Sequence, residues 1–294
     1  MSHTQPRVGP FGVLRRALQN FGAHDMASYA AALAYQVFFS LFPFLIFLIA
    51  LLGFLEVPEF FEWLRQEAAA LLPAQAMSQV DEVIDQIEQP QGGLLSFGII
   101  VALWSASAGM RATMNALNVA YNVREGRPAW KRYLLSVLYT VGLAALLALA
   151  AGLMSFGPQA IGWLGDQLGL AAVTLTLWNL LRWPLAVLLL MFTVAVIYYV
   201  APDVEQALRF ITPGSVLAVT VWIAASLGFA FYVQNFADYS ATYGSIGAII
   251  VLLFYLYISA TVLLFGAEMN AEVYRRAAES KERYEPNSEQ PGGS

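Results

Sequence analysis

The stretch LAYQVFFSLFPFLIFLIALLGFL, Leu33–Leu55, decides the fold, because it carries no charged residue over its whole length. About 20 apolar residues in a helix are enough to cross the hydrocarbon core of a bilayer. Five further stretches meet the same criterion: Gly92–Met110, Tyr133–Phe156, Trp183–Ala201, Pro213–Phe236 and Gly244–Ala267. The sequence therefore predicts an all-α integral membrane protein with six transmembrane helices.

The positions of the basic residues predict the orientation of these helices. Of the 15 Lys and Arg residues, 13 lie in the two terminal segments and in the second and fourth connections. The other connections hold only Arg65 and Arg182. Because cytoplasmic connections of membrane proteins carry the excess of Lys and Arg, we expect both termini in the cytoplasm.

The composition excludes several classes of function. The chain is 59% hydrophobic and 12% charged, against about 25% charged in an ordinary soluble domain. Its net charge of -5 leaves no positive surplus for a nucleic-acid backbone, so nucleic acid is not an expected partner. There is no cysteine, and the only histidines are His3 and His24, so we expect no metal site and no cofactor. No phosphate-binding glycine loop, HExxH motif or Ser/His/Asp set is present, so we do not expect an enzyme.

The chain divides into a membrane domain, residues 25–273, and two cytoplasmic ends. In residues 1–24, apolar side chains recur at spacings of 3, 4 and 3 from Phe11 to Phe21, with Arg15 and Arg16 beside them. This pattern predicts an amphipathic helix on the membrane surface; a frayed leader to the first span is the alternative. Residues 274–294 end in a polar, turn-rich sequence, which predicts a disordered tail.

The first external connection, residues 56–91, predicts a helical hairpin that covers the outer surface. Apolar residues recur at helical spacing on both sides of Pro73, and eight of the 20 acidic residues lie between Glu56 and Glu88. These acidic side chains could attract cations, but they also match an ordinary solvated helix face. The hairpin is the candidate contact surface for a protein partner in the cell envelope.

One apolar segment, Leu170–Leu181, does not fit the count of six spans. It is short, and it ends at Arg182. If it crossed the membrane separately, every later connection would change sides and the asymmetry of the basic residues would disappear. We therefore expect an external interfacial or re-entrant helix.

Polar residues form two stripes within the predicted spans. Ser28, Ala32, Gln36 and Ser40 follow one another at steps of four, and a second stripe comprises Ser107, Arg111, Asn115, Asn118 and Asn122. Burying polar groups in hydrocarbon is costly unless they face partners or water. The stripes therefore predict that the first two spans line a shared interior, although hydrogen bonds that pack the helices together would give the same pattern.

The last span ends in Glu268 and Asn270, at the same membrane level as Arg111. We predict a Glu268–Arg111 ion pair there, with Asp25 as the competing partner. Small residues at Gly214, Ala218 and the region from Gly244 to Ala248 predict close approaches between helices.

Several strings together resemble one family. They are LAYQVFFSLFPFLIFL, WSASAG, NVAYNVREGRPAW, YYVAPDV, PGSVLAVTVWIAASLGFAFYV and YGSIGAIIVLLFYLYISATVLLFGAEMNAEV, in order along Asp25–Val273. This region is similar to the YihY/BrkB family of bacterial inner-membrane proteins. The resemblance implies six spans with cytoplasmic termini, an inner-membrane location and a role in transport or in handling envelope lipids. Members once carried a ribonuclease label, which nothing in this sequence supports.

Two hypotheses of function follow. In the first, the protein is a transporter or lipid translocator that moves an anionic or amphiphilic envelope substrate through a polar cavity of the first, second and sixth helices. In the second, it is a scaffold or assembly partner for envelope machinery. Under the first hypothesis membrane lipids are partners, and Arg124 and Arg127, together with Arg111, bind headgroups. The alternative explanation for these arginines is that basic connections orient the protein in the membrane. The candidates for the substrate path are Tyr35, Gln36, Ser40, Arg111, Asn115, Asn118, Glu268 and Asn270.

Overall fold

The computed structural model describes most of the chain, and every long element in the described part is a helix. It describes residues 10–54, 92–168, 171–206, 209–236 and 245–284, and seven separate positions between 62 and 85. The helices are α1 (Pro10–Ala23), α2 (Met26–Phe54), α3 (Gly92–Ala120), α4 (Ala129–Leu168), α5 (Ala171–Val200), α6 (Pro213–Phe236) and α7 (Ser245–Tyr284).

Six of these helices, α2 to α7, are long and apolar enough to cross a membrane. Their candidate spans are Met26–Leu48, Ser96–Ala120, Ala129–Ser155, Val173–Val200, Pro213–Asn235 and Ile246–Ala277. The prediction of an all-α membrane protein with six transmembrane helices is confirmed. The helices α4 and α7 each contain 40 residues, which gives a length of about 60 Å, twice the thickness of a hydrocarbon core.

The chain forms two compact units, Tyr35–Gly109 and the remainder, Met1–Ala34 with Met110–Ser294. Within Tyr35–Gly109, α2 and α3 run antiparallel. A Cβ atom on Gly98 would lie 3.2 Å from the Cα of Phe47, and one on Gly109 would lie 3.7 Å from the Cγ of Gln36. Glycines at these two positions let the backbones of the two helices come close together.

Within the larger unit, α4 packs against α5, α6 against α7, and α1 against α7. The tightest approach lies where α5, α6 and α7 meet. A Cβ atom on Gly214 would lie 2.1 Å from the carbonyl oxygen of Gly266, and one on Gly266 would lie 2.8 Å from the Cβ of Ala218. The fully buried Tyr198 of α5 closes this crossing by donating a hydrogen bond to the Leu263 carbonyl at 2.6 Å. The predicted close approach at Gly214 and Ala218 is confirmed, whereas Gly244 lies outside the described residues.

The expectation of a separate interfacial or re-entrant helix at Leu170–Leu181 is wrong. From Ala171 onward this segment is the beginning of α5, which continues through Arg182 and Pro184 without a break. The segment stays helical because it packs along α4: Trp178 fills the space beside Gly157, and Leu175 lies beside Gly162. Since it extends an existing span, it adds no further crossing of the membrane.

Two predictions concern the ends of the chain. A helix is present at Pro10–Ala23, as the spacing of its apolar residues predicted. The last helix continues to Tyr284, so the predicted disordered tail from residue 274 is wrong for residues 274–284, and residues 285–294 lie outside the described part. Charged side chains placed at helical spacing on this stretch, at Glu272, Arg275 and Arg276, extend α7 through ion pairs.

The predicted external hairpin, residues 56–91, lies largely outside the described residues. Its seven described positions are helical. Among them, Arg65 donates a hydrogen bond to Asp85 at 2.6 Å. The two segments on either side of Pro73 are therefore in contact at this point.

The crossing at Gly214 generates a prediction for stability. The substitution Gly214→Ala forces the α6 and α7 backbones apart, and overpacking of this kind costs about 1–3 kcal/mol. We expect a lower midpoint of thermal unfolding in detergent micelles. Gly228→Ala, on the same helix but with nothing within 4 Å, is the matched control and is expected to leave the midpoint unchanged or slightly raised. Equal midpoints for both variants would contradict the assigned crossing.

Candidate functional site

The connection between α3 and α4, residues 121–128, starts with a tight helix end. Asn122 has a left-handed backbone conformation, with a φ of 56°, and asparagine tolerates this conformation better than most residues. The Val123 amide donates to the Asn118 carbonyl and the Asn122 amide to the Val119 carbonyl, both at 2.9 Å. This pair of bonds is the Schellman motif, which satisfies the last carbonyls of α3 and turns the chain back toward α4.

Arg127 holds this connection in place. Its Nε donates to one carboxylate oxygen of Glu125 at 2.6 Å, and its Nη2 donates to the other at 3.0 Å. The same Nη2 donates to the Ala201 carbonyl, which follows the end of α5, at 3.0 Å. Because a guanidinium group presents several donors in a fixed fork, one side chain can join two connections that are distant in sequence.

Two further contacts join the same connections. The Asp203 amide donates to the side-chain oxygen of Asn118 at 2.7 Å, and the Gly126 amide donates to the Asp203 carboxylate at 2.8 Å. The side-chain nitrogen of Asn118 completes the network by donating to Glu125 at 3.0 Å. We call these five residues, Asn118, Glu125, Gly126, Arg127 and Asp203, the loop clamp.

The electrostatics of the loop clamp favour an ionised Glu125. Partial burial would raise the pKa of this carboxyl group, but the hydrogen bonds and the charge of Arg127, with a smaller contribution from Asn118, hold the pKa below its ordinary value of 4.5. The clamp is therefore an ionic structure at neutral pH.

A groove of about 700 Å³ opens beside the loop clamp, which is within the usual size range of ligand pockets. The residues that line it include two cations, Arg127 and Lys131, and two acids, Asp203 and Glu205. The other lining residues come from α4, the end of α5 and the connection that follows, and most are aromatic or apolar: Leu135, Tyr139, Tyr199, Val200, Pro202, Val204 and Gln206.

The second polar stripe of the sequence contributes contacts between α3 and α4. Arg111 donates to Ser136 at 3.1 Å, and its guanidinium lies 4.4 Å from the centre of the Tyr133 ring. Arg132 donates to the side chain of Asn115 at 2.6 Å. The structure thus places Arg111 and Asn115 in contacts between two helices, whereas Asn118 bonds to the connections of the loop clamp.

The predicted Glu268–Arg111 ion pair is wrong. One carboxylate oxygen of Glu268 lies 2.6 Å from Nδ1 of His24, and the other lies 4.0 Å from Arg275. His24 occupies this place because it ends the turn between α1 and α2, just before Asp25, whose φ of 52° reverses the chain. The side chain of Asp25, the predicted competitor, is exposed.

Glu268 belongs to a charge cluster that fastens α1 to α7. Its side chain is fully buried, and Glu272 one turn further is nearly so. Glu272 lies 2.8 Å from Arg276 and 3.6 Å from Arg16 of α1. Arg275 donates to the Ala120 carbonyl at the end of α3, at 3.0 Å, where the helix dipole favours a positive charge. Across the part of the chain that is described, no three His, Asp or Glu side chains are arranged to hold a metal ion.

Asn270 takes part in a helix cap. Its side-chain oxygen accepts the Gly214 amide at 2.8 Å, and its nitrogen donates to the Thr212 hydroxyl at 2.9 Å. Thr212 and Ser215 cap the start of α6 reciprocally through their hydroxyl groups and amides. The amide group of Asn270 therefore ties α7 to the first turn of α6.

The remaining candidates belong neither to the loop clamp nor to the charge cluster of α1 and α7. In the unit Tyr35–Gly109, Tyr35 is 57% exposed and stacks on Phe39, Gln36 lies beside Gly109, and Ser40 bonds to the Val37 carbonyl. Arg124, a predicted headgroup residue, is exposed and does not line the groove. The predicted cavity of the first, second and sixth helices stays a prediction.

The sequence analysis did not predict that the connection after α5 completes the site. Asp203 of YYVAPDV meets Gly126 of NVAYNVREGRPAW, so two of the quoted strings form one structure. Their mixed charges, Glu125 and Arg127 in one string and Asp203 in the other, were the available signal. Lys131 and Glu205 were overlooked because each resembles an ordinary solvated charge.

The fold and the two charge networks define a polytopic α-helical membrane protein. The family model described as "Virulence factor BrkB" matches residues 17–290. The chain therefore belongs to the BrkB/YihY family, as its strings predicted.

Curated relatives agree with this assignment. The "Putative ribonuclease-like protein YfkH" of Bacillus subtilis is 40% identical, over 90% of this chain and 95% of the relative. A "UPF0761 membrane protein" of Xanthomonas campestris is 28% identical, over 88% of this chain and 58% of the relative. A protein with the same description from Chromohalobacter salexigens is 28% identical, over 90% of this chain and 64% of the relative. The chain thus spans 58% of the Xanthomonas protein's length. The ribonuclease wording is a mislabel and is no evidence of that activity. No solved structure matches the chain.

The lowered pKa of Glu125 generates a prediction. A carboxyl group whose pKa is lower in the folded state contributes stability above its unfolded pKa, and this contribution disappears as the pH falls through the folded value. We expect Glu125→Gln to lower the unfolding midpoint at pH 7 and the gap from wild type to narrow once the pH falls below about 4.5. Thermal unfolding of both proteins in detergent between pH 7 and pH 3 measures this gap. A gap that stays constant over the whole range would contradict the assigned ionic clamp.

Proposed function

We propose that the protein is a transporter or translocator of phosphate-bearing amphiphiles in the bacterial inner membrane, with both termini in the cytoplasm. The groove beside the loop clamp then receives the headgroup from the cytoplasmic leaflet. The apolar walls accept the first part of the acyl chain. Whatever path the molecule takes further into the membrane starts from this groove.

The observation that carries the proposal is the composition of the groove. Lys131 lines the groove and has no ion-pair partner among the described residues. Leu135 and Tyr139, one and two turns further along α4, also line it. A cation followed by apolar surface along one helix matches the order of groups in a phospholipid, in which a phosphate precedes the acyl chains.

The depth of the groove in the membrane supports the same conclusion. Trp130 is 70% exposed and Tyr133 is 53% exposed, at the start of α4. Exposed Trp and Tyr side chains concentrate at the level of lipid headgroups. Lys131 lies between these two residues in the sequence, which supports a position of this lysine near the lipid phosphates.

Lys131 has an alternative explanation. Basic residues on cytoplasmic connections set the orientation of a membrane protein, so a cation at this position could serve orientation alone. Arg124 separates the two explanations. It belongs to the same connection and carries the same charge, but it does not line the groove.

Vesicles that contain the purified protein test the proposal. Acyl-labelled fluorescent phosphatidylethanolamine or phosphatidylglycerol is added to separate preparations, and dithionite bleaches the label in the outer leaflet. We expect the wild-type protein to move at least one of the two lipids between leaflets. We expect Lys131→Ala to slow this movement roughly threefold, since an interfacial ion pair is worth about 0.2–1 kcal/mol, and Arg124→Ala to leave it unchanged.

Two results would contradict the proposal. If wild-type protein moves neither lipid faster than empty vesicles, the scaffold hypothesis replaces transport. If Lys131→Ala and Arg124→Ala slow the movement equally, general positive charge is responsible and the groove has no special role.

A further inference from the structure

The groove is lined by charges of both signs. Arg127 and Lys131 supply two positive charges, and Asp203 and Glu205 supply two negative charges. A groove that receives a purely anionic headgroup has no need of acidic walls, because like charges repel at short range. The acidic side chains therefore require an explanation of their own.

Two of the four charges are occupied by the protein itself. Arg127 donates to Glu125 through two nitrogens and to the Ala201 carbonyl. Asp203 accepts the Gly126 amide at 2.8 Å, and its other oxygen lies 3.6 Å from Arg127. Both side chains serve the loop clamp.

The other two charges, Lys131 and Glu205, have no side-chain partner in the described part of the chain. They come from different elements that line the groove, Lys131 from the first turn of α4 and Glu205 from the connection between α5 and α6. The positive end of the α4 dipole adds to the field of Lys131. The Tyr274 hydroxyl donates to the Glu205 carbonyl at 3.1 Å, which holds that backbone in place.

We propose that the groove selects a zwitterionic headgroup that carries a protonated primary amine beside its phosphate. This inference rests on the proposed function of the same groove. The phosphate lies against Lys131 and the start of α4, and the ammonium group lies against Glu205. Each free charge in the groove then meets its opposite, and neither is left facing a like charge.

This arrangement distinguishes three common headgroups. Phosphatidylethanolamine supplies both a phosphate and an ammonium group that donates hydrogen bonds. Phosphatidylglycerol supplies the phosphate but leaves Glu205 facing an anion without a counter-charge. Phosphatidylcholine has the positive charge, but its quaternary ammonium group has no N–H with which to bond the carboxylate.

Native mass spectrometry of the full-length protein tests the inference. The protein is stripped of lipid in detergent and incubated with an equimolar mixture of phosphatidylethanolamine, phosphatidylglycerol and phosphatidylcholine. We expect wild-type protein to bind phosphatidylethanolamine in preference to the other two. We expect Glu205→Gln to reduce its preference over phosphatidylglycerol by roughly threefold, which is the effect of losing one partly exposed ion pair.

Matched variants and a soluble competitor complete the experiment. Asp25→Asn removes an exposed carboxylate outside the groove and is expected to keep the wild-type preference. Asparagine suits the left-handed backbone at this position, so the fold is retained. Glycerophosphoethanolamine, which has no acyl chains, is expected to displace part of the bound lipid if the headgroup alone is recognised, and to displace none if the apolar walls are also needed.

The outcomes separate this inference from the proposed function. If wild-type protein prefers phosphatidylglycerol, or Glu205→Gln keeps the wild-type preference, amine selection is overturned. In that case a loss of total lipid binding in Lys131→Ala still supports the groove as a phosphate site. If Lys131→Ala binds all three lipids as wild type does, the groove is not the lipid site and both proposals fail.

Discussion

The contact between Arg127 and Glu125 is the interaction on which the site depends. The guanidinium group of Arg127 bonds to Glu125 in its own connection, after α3, and to the Ala201 carbonyl in the connection after α5. An arginine placed at the boundary of a membrane satisfies its charge with a carboxylate and its remaining donors with a carbonyl, because unpaired donors there are costly. This arrangement holds together the two connections next to which Lys131 and Glu205 line the groove. Without it, the two residues would belong to independent loops.

A second group of charged residues, on α1 and α7, holds these two helices of the larger unit together. Glu268 and Glu272 are buried along α7 and hold α1 through His24 and Arg16. A buried carboxylate is tolerated only when cations and hydrogen-bond donors surround it, and its loss of a partner is strongly destabilising. The glycine crossing at Gly214 lets α6 and α7 approach closely enough for Asn270 to cap α6.

The sequence predicted the six spans because the length and polarity of a membrane helix are visible in consecutive residues. It also predicted the close approach at Gly214, since only small residues permit such contacts in lipid. The beginning of α5 was misplaced because Arg182 interrupts the apolar sequence, whereas packing against Gly157 continues the helix. The predicted ion-pair partner of Glu268 was wrong because periodicity shows which residues share a helix face but not which helix faces are in contact. His24 comes from a turn, which has no periodicity at all.

The most direct test of this account is residue-resolved hydrogen exchange of the protein in lipid nanodiscs, comparing wild type with Arg127→Lys. The lysine keeps the positive charge but loses the fork that joins Glu125 and Ala201. The account predicts faster exchange at the amides of Gly126 and Asp203 together, with no change at the Gly214 amide, which is held by Asn270. Unchanged protection at Gly126 and Asp203 would show that the two connections are held by other contacts, and would contradict the central role of Arg127.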